Sequence, residues 1–153
     1  MICVSCKKDG PETTDNPSVL IPEQMIINKN WVMYAFTANP AINWDGNGYM
    51  VTDIFSELPQ CERDNGMFFS DTGYYNLNEG LTLCNENDTQ IYQTGTWQLA
   101  VNKDTLILTP VGGCCTKPGV LKIHFLSSSE LILGYIVAES DTVRTYTEKY
   151  RVN

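Results

Sequence analysis

Histidine is almost missing from this sequence: His124 is the only one among 153 residues. Nucleophile–base pairs of the Ser-His or Cys-His kind therefore have a single candidate base. That base alternates onto the polar face of its segment beside Lys122, where a solvated histidine is expected rather than a catalytic one. Basic residues are scarce as well, ten against eighteen acids, which leaves a net charge of −8. With no basic stripe, phosphates would be repelled, and no nucleic-acid partner is expected. No run of about eighteen apolar residues occurs, so no segment is a candidate transmembrane helix. Nothing resembles a phosphate-binding loop, and DGNG at 45–48 lacks the spacing of an EF-hand calcium loop. The acids at Glu86 and Asp88, and at Glu139 and Asp141, read as solvated turns. Neither enzymatic activity nor a metal or other cofactor is expected.

What the chain does have is a low charged fraction and many Thr, Asn, Gly and Tyr residues, a composition suited to strands. Its length fits one domain. Residues 7–20 carry Pro, Gly, Asp and Thr with little apolar content and read as a flexible tether ahead of a domain at 21–153. Eight strands are predicted, at 30–38, 66–71, 74–78, 90–100, 104–110, 119–126, 130–138 and 142–152. Joined in order, they can close into an antiparallel up-and-down barrel, which removes both exposed edges. A two-sheet sandwich is the competing arrangement. A two-residue turn at Asn102-Lys103 would set Leu99 against Leu106 and Trp97 against Leu108, all on one face. Strand 119–126 would likewise turn Leu121, Ile123 and Phe125 one way and Lys122 and His124 the other. In a barrel the tight turns near 72, 102 and 128 share one end. The longer connections 39–65, 79–89, 111–118 and 139–141 share the other.

That loop end collects Cys61, Cys84, Cys114 and Cys115. Loop cysteines without CxxC spacing or nearby histidines favour disulfides and an oxidising compartment over zinc. If Thr72-Gly73 is a two-residue turn, opposed residues have numbers summing to 145, as 61 and 84 do. A Cys61–Cys84 bridge is therefore expected to close the open end of that hairpin. Cys114 and Cys115 either form a vicinal bridge, remain as thiols, or offer one partner to Cys84.

The segments KNWVMYAF, CERDNGMFFSDTGYYNLNEG with its second cysteine at 84, TGTWQLAVNKDTLIL and SSSELIL resemble the lipocalin-like domain of bacterial, chiefly Bacteroidota, lipoproteins. The resemblance covers about residues 21–153 and implies a small antiparallel barrel with an apolar interior. Lipocalins proper carry Gly-x-Trp on the first strand, with the tryptophan plugging the closed barrel end under a basic residue from the last strand. Trp31 stands at the tryptophan position, with Lys29 where the glycine would be, and Arg151 or Lys149 would supply the cation. In the same lipoproteins a signal peptide ends just before Cys-Lys-Lys-Asp. Cys6 would then be the lipidated residue, with residues 1–6 the remnant of a leader. A leader needs a charged start and an apolar stretch longer than MICVS, so the start is expected to be misassigned or the chain to be a fragment. The implied address is the cell envelope, at an outer membrane, facing periplasm or surface.

Two features remain as candidate ligand contacts. Arg144, Tyr146, Glu148 and Tyr150 alternate along the last strand; facing inward, Arg144 and Tyr146 could hold an acidic head group near the mouth. The alternative is a structural Arg144–Glu148 pair, or a strand that faces the other way altogether. The long connection containing Trp44 and Phe55 is either a lid over a ligand or a cork, and Asp53 is placed to cap a helical turn over IFSEL. The expected function is non-catalytic binding of a small apolar or amphipathic ligand by a monomer that meets the membrane only through its lipid. The alternative is a solid-cored interaction or inhibitor module acting through its loop end.

Overall fold

Alternating apolar and polar residues carry most of the chain into strands, because each strand then has one face to bury. The computed structural model describes residues 21–113, 117–139 and 141–153. Cys6, Cys114, Cys115 and the tether lie outside them. A short helix, α1 (Pro22–Ile26), leads into β1 (Asn30–Ile42), β2 (Val51–Asp53), β3 (Gly66–Phe69) and β4 (Tyr74–Asn78). There follow β5 (Ile91–Leu99), β6 (Thr105–Gly113), β7 (Gly119–Leu126), β8 (Glu130–Ala138) and β9 (Val143–Val152).

The fold is a closed antiparallel barrel of eight strands with one additional strand. From β3 onward each strand pairs with the next, and β9 returns to β1. Pairs from Trp31↔Val152 to Asn39↔Thr145 close the ring. The opposite edge of β1 is shared: β3 takes Asn30 to Val32, and β2 takes Thr37 and Ile42. Strands β2 and β3 therefore run one after the other in a single stave. The interruption between them, 54–65, contains two 3-10 turns, Phe55–Glu57 and Gln60–Glu62. The eight-strand reading did not include β2, which is only three residues long and sits inside a connection.

Two hairpins differ from their expected geometry. The turn after β3 has three residues, with Ser70 donating its N–H to Tyr74 at 2.8 Å. Gly73 at φ 84° takes the left-handed position that closes such a loop. Met67 then opposes Leu77, one residue out of the expected register. The turn at 101–104 is longer than two residues, yet Trp97 opposes Leu108 and Leu99 opposes Leu106 as predicted. Within β5, Gly95 belongs to the TGTW segment, and a Cβ there would lie 2.2 Å from the Thr109 carbonyl oxygen. Only glycine permits that approach of β6.

A bulge at His124 shifts the phase of β7. Ile123 opposes Leu133, but Phe125 opposes Ile132 and Leu126 opposes Leu131. Leu126 therefore packs against the core, and Phe125, expected inside, is 47% exposed. His124 is exposed, and its imidazole lies so close over Gly134 that a Cβ there would meet Nε2 at 2.2 Å.

The barrel is filled at both ends. At the tight-turn end, Trp31, Ile26, Phe69, Leu106 and Leu131 are fully buried. Trp31 donates its Nε1–H to the Ile26 carbonyl at 2.9 Å, so helix α1 and the indole form one plug. Lys29 fastens this plug, donating to the carbonyls of Met25 at 2.6 Å and Ser128 at 2.9 Å. Its ammonium lies 5.5 Å from the Trp31 ring. The expected cation, Arg151, is not the one over Trp31. Tyr150 and Val152 turn inward and Arg151 outward, where its guanidinium sits 5.9 Å from the Tyr34 ring.

At the loop end, Phe36, Ala38, Ile54, Leu58 and Tyr146 form a second buried cluster. Ile54 is 0% exposed and donates its N–H to Phe36 at 2.8 Å. The excursion 54–65 thus works as a cork. Ser56 donates its N–H to Asp53 Oδ1 at 3.3 Å, the cap anticipated for this turn. Arg63 ties the piece together through the carbonyls of Leu58 at 2.9 Å and Ser56 at 2.7 Å. Cys61, within it, is bonded to Cys84 with Cα atoms 5.1 Å apart. The bridge forms despite the register offset because both cysteines lie in connections beyond the paired strands, where the backbone has slack.

Candidate ligand cavity

Between the two filled ends lies a cavity of about 570 Å³ that receives side chains from all eight staves. Its apolar surface includes Met33, Met67, Leu77, Leu108 and Leu121. Four tyrosines, Tyr75, Tyr92, Tyr135 and Tyr150, also line it, with Gln93 and Glu148 as the polar groups deep in the wall. Strand alternation explains the placement: Tyr146, Glu148 and Tyr150 are successive inward residues of β9, and Tyr135 points in from β8 next to them.

Among the described residues, Glu148 is the one acid lining the cavity. The Tyr150 hydroxyl donates to its Oε2 at 2.6 Å. Burial holds the Glu148 carboxyl above its usual range, and hydrogen bonds from Tyr150 and Tyr135 offset part of that rise. The same burial, with the nearby acid, pushes both phenols upward, so they remain donors. Among the described residues, Lys117 is the only cation in the lining, and it is exposed at the rim.

The cavity opens through the wall. The β7–β8 ladder stops at Lys122↔Gly134, although β7 begins at Gly119 and β8 continues to Ala138. Residues 119–121 pair only with β6, and 135–138 only with β9. Val120 and Ile136 face outward, 61% and 69% exposed, yet both line the cavity. With Tyr135 they also line a smaller depression of about 370 Å³ that reaches Lys122 and His124. The interior is therefore continuous with the outside along the unpaired half of the β7–β8 seam.

None of the four residues named from sequence as ligand contacts lines this cavity. Arg144 forms an ion pair with Glu139, not Glu148, and reaches the Ala41 carbonyl at 3.4 Å. The β8–β9 turn brings Glu139 to it, whereas Glu148 points inward. Tyr146 is inward and buried, but it stacks on Tyr135 with ring centres 5.1 Å apart and belongs to the cork. Trp44, 42% exposed, meets Phe36 edge-on at 5.7 Å, and Phe55 lies 5.9 Å under the Arg63 guanidinium. The signal for Glu148 was present in the sequence, as an acid between two tyrosines, Tyr146 and Tyr150, on one face of the last strand.

Among the described residues, no three His, Cys, Asp or Glu groups converge as a metal site, and no helix is long and apolar enough to cross a membrane. Compared with known proteins, the chain matches no family model and no curated sequence.

Proposed function

We propose that this barrel is a non-catalytic carrier that holds a small apolar or amphipathic molecule in its interior. The observation that carries the reading is the 570 Å³ cavity, walled by every stave of the barrel. Its size and its mostly apolar lining with a few convergent polar groups are those of small-molecule sites, which run from about 300 to about 1,000 Å³. A solid-cored interaction module would have filled this space, and the cork at the loop end would then have been the natural contact surface. Native mass spectrometry after gentle extraction tests the carrier reading. A co-purifying small molecule is expected; its absence, together with no binding across a panel of lipids and haem, would overturn the reading.

The proposal extends to a lipoprotein of the cell envelope, tethered through Cys6. Its support is the Cys-Lys-Lys-Asp sequence and the resemblance that goes with it. Metabolic labelling with an alkyne fatty acid is expected to mark the full-length protein and to fail in Cys6→Ser.

A further inference from the structure

The interior is more selective than a greasy hole. One carboxylate, Glu148, reaches the cavity from β9, held by Tyr150, with Tyr135 in the same lining. Around the same space stand Tyr75 from β4 and Tyr92 from β5. Aromatic walls with an acid among them are a recurrent solution for holding an ammonium group. The negative ring faces and the carboxylate both attract positive charge, and a desolvated site strengthens the attraction. An anion placed there would meet Glu148 in a poorly screened interior. The one compensating cation among the described residues of the lining, Lys117, sits exposed at the rim. The net charge of −8 adds a field that draws cations toward the protein.

We propose that the cavity is a site for an apolar-bodied amine, with its ammonium group on Glu148 among the four tyrosines and its hydrocarbon part against the methionines and leucines. This rests on the carrier reading and names its ligand class. The hydrogen bond from Tyr150 leaves the carboxylate oxygens with further acceptor capacity for an incoming N–H. It also helps fix the orientation of the acid before the ligand arrives.

Octylamine, 1-octanol and octanoate, matched in length and different in charge, are suitable probes in calorimetric titrations of the intact protein near neutral pH. Octylamine is expected to bind at least tenfold tighter than octanol, a difference of about 1.4 kcal/mol, and octanoate weakest. Glu148→Gln is expected to bring octylamine down to the affinity of octanol. Tyr150→Phe removes a hydrogen bond but keeps the charge, so the amine preference should survive it. Equal or tighter binding of octanoate, or an amine preference that persists in Glu148→Gln, would overturn the inference. So would a preference lost in Tyr150→Phe with Glu148 intact. Octanol binding as tightly as octylamine overturns only the ligand class and leaves the carrier reading standing. If none of the three probes binds, the amine inference fails, and the carrier reading stands or falls on the mass spectrometry and the ligand panel.

Discussion

Glu148 places an ionisable group where ionisation is unfavourable, and that links it to stability as well as to ligand. In the unfolded chain its carboxyl titrates near the ordinary 4.5; inside the barrel burial raises that value. Between the two values the native state keeps a proton that the unfolded state has lost. Stability therefore falls as pH rises through that window and stays lower above it. Glu148→Gln removes the titration. The variant is expected to melt higher than the parent at neutral pH, with the gap narrowing as pH falls through that window and closed below about 4.5. Thermal melts from about pH 4 to about pH 8 would check this, and a gap independent of pH would refute it. The alternation of β9 put Glu148 on one face with Arg144, Tyr146 and Tyr150 without saying which way that face points, and Arg144 suggested a partner for it. Alternation assigns a face; it does not say which of several charges a nearby turn will capture, and the β8–β9 turn delivers Glu139 to Arg144.

At the level of elements, the Cys61–Cys84 bridge joins the cork to the connection after β4. It closes a loop with a sequence separation of 23, for which chain entropy gives roughly 3 kcal/mol. Replacing both cysteines with alanine is expected to lower unfolding free energy by about that amount in urea titrations. A loss well under about 1 kcal/mol would mean that the cork's own contacts hold it without the covalent tie. Strand existence, order and closure were legible because period-two patterning over many segments leaves few other ways to bury the apolar faces. Less was legible where one residue changes the phase. The His124 bulge turned Phe125 outward, and the third residue of the 71–73 turn moved β3 against β4. Such insertions depend on local backbone geometry that hydrophobic pattern does not encode. The short β2 escaped for another reason: it exists only because β1 has edge left over beyond β3.

For the molecule as a whole, the two plugs and the seam divide the barrel into regions of unequal constraint. Ladder hydrogen bonds protect amides, and the unpaired stretches of β7 and β8 lack them on one side. Seam-facing amides within 119–121 and 135–138 are expected to exchange at least tenfold faster than those at 122–126 and 131–134, where the ladder is complete. Native-state hydrogen exchange followed by NMR would resolve this, and uniform protection along both strands would show the seam to be shut in solution. A fully laddered barrel is a hoop whose girth is set by strand number and tilt. This hoop is cut through part of its height, so the tight-turn end keeps a fixed circumference while the wall beside Val120 and Ile136 can splay without breaking a backbone bond. The width of molecule admitted is therefore set by the side of the barrel, and its depth by the tryptophan plug below and the isoleucine cork above.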